Sequence, residues 1–183
     1  MTSTVLRMND AQSKAWVALV EAADLLPAVL DAHLTASSAL ISFEYGILSI
    51  LYVAEGQEVS MKALGAAVDS PAPRLSKAVT RLEKRGFVER RRCPGDGRAI
   101  LVRLTRQGRK VWLNVTPGHI TLARDTLLAD YNDAQLEELA VLLGPLLRRL
   151  DPDARRHRVE SLHFDAKATK TLDCTADLAE PNA

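Results

Sequence analysis

Apolar side chains recur at spacings of three and four from Trp16 through Leu19, Val20, Ala23, Leu26 and Leu30 to Leu34, the pattern of a helix that offers one face to a core. It predicts a long first helix from about Asp10, whose side chain can cap it, to Ser37. Pro27 lies in its interior and should kink or briefly break it. A second helix is expected from Phe43 to Ala54, carried by Tyr45, Ile47, Leu48, Leu51 and Tyr52 and ended by the turn Glu55-Gly56-Gln57. Ser60 can cap a short helix from Met61 to Val68. The run Asp69-Ser70-Pro71-Ala72-Pro73 reads as a turn followed by a helix start, because proline is tolerated in a first turn. That next helix turns Leu75, Ala78, Val79 and Leu82 inward and stops at Gly86.

From Phe87 the period changes from helical to strand-like. Phe87 to Arg92 and Arg98 to Leu104 read as two strands, the second turning Ile100, Val102 and Leu104 inward, joined by a glycine- and proline-rich tip from Cys93 to Gly97. Thr105 can cap a helix that breaks at Pro117-Gly118 and resumes to Ala129, and Asn132 with Gln135 resembles a capping box for a last helix to Leu150, bent at Gly144-Pro145. Leu136, Leu139, Leu143, Leu146, Leu147 and Leu150 give that helix a wide apolar stripe, wider than a small lobe readily covers, so it serves either a dimer or an internal core. Beyond Asp151 the periodicity stops.

The predicted class is therefore mostly α with a small β-hairpin wing. Residues 1–9 form an N-terminal tail, 10–37 and 105–150 a helical dimerisation region, 38–104 a winged helix-turn-helix domain, and 151–183 a mobile C-terminal tail. With 183 residues and 47% hydrophobic content the chain can bury one good core. No apolar run reaches membrane-spanning length and no secretory signal opens the chain, so no membrane partner and a cytoplasmic protein are expected. Two cysteines, Cys93 and Cys174, cannot make a disulfide framework.

Charge alters the picture most. Between Arg74 and Lys110 lie thirteen Lys and Arg against three acids, a local net of +10 in a chain whose total is +1. A solvated surface normally mixes its signs, so one strongly positive element pair on an otherwise acidic protein is the footprint of a nucleic-acid binder. Double-stranded DNA is the expected partner. The helix after the turn fits the major groove, with Ser70, Arg74, Ser76, Lys77 and Arg81 as candidate contacts, arginine being able to fork onto guanine. In the hairpin Arg90, Arg91, Arg92 and Arg98 can follow the backbone or enter a narrow minor groove, and Asp96 is placed to orient Arg98.

Other chemistry is sparse. Cys93 follows three arginines in what reads as an exposed loop, where positive charge would favour the thiolate and make it a redox candidate. Trp16, His33, Phe43, Tyr45 and Trp112 have flat faces with polar edges and are candidates for a ligand pocket, although such residues are more often core. His33, His119, His157 and His163 lack ligand spacing, so no metal or other cofactor is expected. No nucleophile with its base and no phosphate loop is present, which argues against an enzyme.

The runs Glu44 to Leu48, Arg81-Leu82-Glu83-Lys84-Arg85-Gly86-Phe87-Val88-Glu89-Arg90, Asp96-Gly97-Arg98-Ala99 and Leu104-Thr105-Arg106-Gln107-Gly108 resemble the MarR (multiple antibiotic resistance regulator) family of bacterial transcription factors over about residues 12–150. The resemblance implies a homodimer with interleaved first and last helices, bound to a pseudo-palindromic operator. It further implies repression relieved by a small, often aromatic effector, with Arg98 as wing-tip arginine and Asp96 as its partner. The Pro71 and Pro73 pair and the polar tail depart from the family pattern. A competing expectation is a winged-helix interaction module that does not bind DNA specifically, since fold alone does not fix function.

Overall fold

The computed structural model describes residues 8–93 and 99–152, so Asp96, Arg98 and most of the C-terminal tail lie outside the described residues. By its contacts the chain divides into two units, Met1–Ser42 and Phe43–Ala183.

In the first unit α1 (Asp10–Ser38) is a single 29-residue helix. Its cap is Asn9 and not Asp10: Asn9 Oδ1 accepts from the Gln12 amide at 2.8 Å while Gln12 Oε1 accepts from the Asn9 amide at 2.9 Å. Asp10 sits one position later, where its charge complements the helix dipole. The helix runs across Pro27 without the expected break. Among its residues Leu34 alone is buried, and Trp16, Val17, Leu25, Leu26 and Val29 stand exposed. Asp31 accepts hydrogen bonds from both the amide and the hydroxyl of Ser42, where the next helix begins.

The second unit is built on α2 (Ser42–Val53), β1 (Glu58–Ser60), α3 (Met61–Ala67), α4 (Ala72–Lys84), β2 (Val88–Arg92), β3 (Ile100–Leu104), α5 (Arg106–Leu122) and α6 (Asp133–Leu150). The sheet is antiparallel with order β1-β3-β2; Val59 pairs Val102 on one edge and Arg90 pairs Val102 on the other. β1 is absent from the sequence-based expectation, because three residues carry no measurable alternation. Ile47, Leu48, Leu51, Leu64, Leu75, Val79, Leu82 and Val102 form the buried core. In β3 Val102 and Leu104 face inward as expected, but Ile100 is 43% exposed and Leu101 is buried. Ile100 pairs with Arg92, itself exposed, at the outer end of β3.

Two glycines set the geometry at the base of the wing. Gly86 (φ +73°) closes α4: the Phe87 amide donates to the Leu82 carbonyl and the Gly86 amide to that of Glu83, both at 2.9 Å. This is a Schellman turn, in which a left-handed residue satisfies the last helical carbonyls. Thr105 caps α5 as expected, accepting from the Gly108 amide at 3.0 Å while its own hydroxyl donates to the Gly86 carbonyl at 2.6 Å. That bond draws α5 so close to the preceding backbone that a Cβ on Gly108 would lie 2.0 Å from the Phe87 carbonyl oxygen.

The expected break at Pro117-Gly118 does not occur; α5 continues to Leu122 and passes into a π-helical turn, Ala123–Leu127. Leu113, whose carbonyl is left without a helical donor by Pro117, lies on an exposed stretch where water can satisfy such a group. The capping box of Asn132 and Gln135 forms at 3.0 Å in both directions, and α6 runs through Gly144-Pro145 with no buried residue.

Gly108→Ala separates two effects of opposite sign. Helix propensity alone would stabilise α5 by about 1 kcal/mol, whereas the backbone collision should destabilise by about 1–3 kcal/mol or more. The collision is expected to win, lowering the urea midpoint; an unchanged or raised midpoint would contradict this junction.

Candidate nucleic-acid interface

α3, the turn Val68–Pro71 and α4 form a helix-turn-helix. Ser60 Oγ accepts from the Ala63 amide at 3.1 Å and starts α3, and the Ser70 amide donates to the Gly65 carbonyl at 3.1 Å to close the turn. Pro71 is the N-terminal cap of α4 and Pro73 sits in its first turn, where no amide hydrogen is needed. The departure at these prolines thus leaves the helix start intact.

At 3.6 residues per turn α4 divides cleanly. Leu75, Ala78, Val79 and Leu82 are buried, while Arg74, Ser76, Lys77, Arg81 and Lys84 are outside the core. Lys84 is not among the contacts that the sequence singles out, although the same period places it on the outward face. Ser70 Oγ is buried without a hydrogen-bond partner, beside a groove of about 590 Å³ lined by Met61, Lys62, Gly65, Pro71 and Leu75 among others.

The candidate arginines are not equivalent. Arg74 lies over the Phe43 ring, 4.4 Å from its centroid, a cation–π contact that braces the guanidinium at the helix start. Arg81 donates from Nε to Glu44 Oε1 at 2.7 Å, and Arg85 Nη1 lies 3.9 Å from Glu44 Oε2. Arg90 turns back onto α4: it bonds the Glu83 carboxylate, the Ser76 carbonyl at 3.0 Å and Thr80 Oγ1 at 3.1 Å. Its amide also donates to Glu83 Oε1 at 3.0 Å. Arg90 is thereby a clasp between wing and helix, with these donors directed inside the fold. Arg91 lies 3.4 Å from Glu58 Oε2, and Arg92 is exposed. Glu44, to which sequence reasoning assigns no role, carries a signal: a carboxylate inside the apolar run Ser42–Val53 needs a partner if the helix buries it.

The expected exposed thiol is not found: Cys93 is 3% exposed, so its reactivity is that of a buried group. Arginines three in a row mislead here, because the exposure of Arg91 and Arg92 does not extend to the residue that follows them.

The candidate pocket residues separate in kind. Trp16 is exposed in α1, and His33 Nε2 is buried without a hydrogen-bond partner. Phe43 is the platform under Arg74. Trp112 Nε1 donates to Ser49 Oγ at 2.9 Å and its ring stacks on Tyr52 at 3.7 Å. Thr116 spends its one hydroxyl hydrogen on the Trp112 carbonyl at 2.7 Å, so Tyr45 is the donor in its 3.1 Å contact with Thr116. Tyr45 and Trp112 thus join a bonded network between α2 and α5.

Among the described residues no group of three or more His, Cys, Asp or Glu is arranged to hold a metal ion, and no single helix is long and apolar enough to cross a membrane. The displaced protonation equilibria lie away from the interface: a hydrogen bond and then the charge of Asp125 raise the Arg124 guanidinium, and the same bond holds the Asp125 carboxyl below its ordinary value. That pair is solvent-exposed, where such contacts contribute little.

A MarR-family model matches residues 40–99. The chain is 34% identical over 82 residues to an uncharacterised HTH-type transcriptional regulator, YdgJ of Bacillus subtilis (strain 168), covering 45% of this chain and about half, 49%, of that relative's length. It is 26% identical over 118 residues to the HTH-type transcriptional repressor YetL of the same organism, covering 64% of this chain and 70% of that one. A MarR family transcriptional regulator from Streptomyces coelicolor, solved in complex with DNA, superposes with a TM-score of 0.76 at 28% identity over 82% of this chain and 94% of its own.

Removing the Arg90 side chain takes the guanidinium from the Glu83 carboxylate, the Ser76 carbonyl and Thr80, leaving Glu83 only the backbone amide of residue 90 and the Ser76 carbonyl the Thr80 hydroxyl. Arg90→Ala is expected to lower stability by about 1–3 kcal/mol in urea denaturation and to speed amide exchange in the wing; a variant as stable and as protected as the parent would contradict the clasp.

Proposed function

We propose that the chain is a transcriptional regulator of the MarR family, whose model matches residues 40–99, and that it binds double-stranded DNA sequence-specifically as a homodimer on a pseudo-palindromic operator. The observation that carries the proposal is the outward face of α4, where Arg74, Ser76, Lys77, Arg81 and Lys84 lie outside the core and the single acid of the helix, Glu83, is taken by Arg90. Such a face supplies charge for phosphates and donors for base edges at once. Ser70 at the turn, and Arg91, Arg92 and Arg98 of the wing, extend the positive surface in this reading, with Asp96 orienting Arg98. The DNA complex of the Streptomyces relative supports it.

Dimerisation is supported by α6, which has no buried residue although Leu139, Val141, Leu142, Leu147 and Leu150 are exposed. Burying a large aliphatic side chain contributes about 1.5–3 kcal/mol, so a face of this size favours association with a second copy. Repression, the role in the name of the Bacillus relative YetL, and relief by a small aromatic effector complete the proposal. Such a regulator would act in the bacterial cytoplasm, on the nucleoid.

The test is selection from duplexes with a randomised central segment, followed by affinity against salt. A pseudo-palindromic site and a steep inverse salt dependence are expected; sequence-blind binding with a shallow slope would sink the proposal. On the selected duplex Lys77→Ala and Arg98→Ala should each weaken binding and reduce the salt slope by about 0.9 for every phosphate no longer neutralised. Replacing Leu142 and Leu150 together by Glu should shift the protein to a monomer in sedimentation and weaken operator binding; a dimer of unchanged affinity would exclude α6 from the interface.

A further inference from the structure

Glu44 is 4% exposed on α2 and faces two cations, Arg81 at 2.7 Å and Arg85 at 3.9 Å. A buried carboxylate is costly to desolvate, and its retention among Ile47, Leu48 and Leu51 calls for a pairing that outweighs the cost. The pairing is asymmetric. Glu44 Oε1 takes the Nε hydrogen of Arg81, while the Arg81 side chain remains 52% exposed. The guanidinium is planar, so a bond at Nε fixes the plane and leaves both Nη groups outside that bond. An arginine held this way reaches DNA without first losing its rotamer freedom.

We propose that Glu44 is a positioning residue for DNA recognition, acting through Arg81 by pre-orienting its guanidinium on the outward face of α4. The inference rests on the DNA-binding reading and adds a residue that never touches DNA. Its consequence is a division of labour: Arg81 is fixed and suited to base recognition, whereas Lys77 and Lys84 are flexible point charges suited to phosphates.

The experiment uses the full chain and the duplex it selects from the randomised pool, with Glu44→Gln, Arg81→Ala and the double variant. Glu44→Gln preserves shape while removing the charge. It should keep the helical circular dichroism and the oligomeric state, lose about two- to tenfold in affinity, the worth of one immobilised side chain, and relax the same operator position that Arg81→Ala relaxes. Added to Arg81→Ala it should change nothing further. An unaltered base preference in Glu44→Gln, or an equal affinity loss in the Arg81→Ala background, would overturn the inference while leaving DNA binding intact. If Glu44→Gln fails to fold, Arg81→Lys carries the test: it keeps the charge without the Nε fork, so base preference should relax as in Arg81→Ala, and an unchanged preference overturns the inference. A parent chain that enriches no sequence would instead refute the DNA-binding reading and this inference with it.

Discussion

A helix with four Lys and Arg in thirteen residues must be pressed against an apolar core while its cations repel one another, and the rest of the second unit is arranged around that requirement. The apolar stripe Leu75, Ala78, Val79 and Leu82 supplies the burial. Two carboxylates steady the flanks: Glu44 of α2 takes Arg81, and Glu83 of α4 itself takes Arg90 from the wing. The cations left outward are then held in place by a neutralised scaffold, which is what a surface needs in order to meet a polyanion in one register.

The motif phrases of the sequence acquire a physical meaning in this arrangement. Arg81, Glu83, Gly86 and Arg90 secure α4 and turn the chain into the wing, and Thr105 and Gly108 fasten α5 to the backbone of that turn. These residues carry the resemblance to the family, yet most of their donors and acceptors are spent within the fold. Arg74, Ser76 and Lys77 fall between those runs and face outward. The motif thus reports mainly how a recognition helix is mounted, with Arg81 the member of it that also stands on the outward face, and Arg74, Ser76 and Lys77 complete that face from between the runs.

What the sequence discloses follows the range of the interactions involved. The helices, the caps at Ser60, Thr105 and Asn132 and the stop at Gly86 are local, set by spacing and by side chains three residues away, and are readable. Asn9 yields to its neighbour in a reading by residue type because both residues cap well. The breaks expected at Pro27 and Pro117 fail because a lost hydrogen bond can be tolerated where the helix surface is open to water. β1 exists only through its pairing with β3, and the destinations of Arg90 and Cys93 depend on contacts and turns that a one-dimensional pattern does not encode. Among the site candidates, the outward face of α4 follows from period alone; which arginines are already committed to carboxylates does not.

Hydroxyl-radical footprinting on a duplex that the protein has selected tests the central claim most directly, because it reads geometry and occupancy together. A dimer with one recognition helix per subunit predicts two protected clusters on one face of the duplex, separated by about one helical turn, roughly 34–36 Å, or a multiple of it. A single protected cluster, or even protection along the whole duplex, would contradict the account.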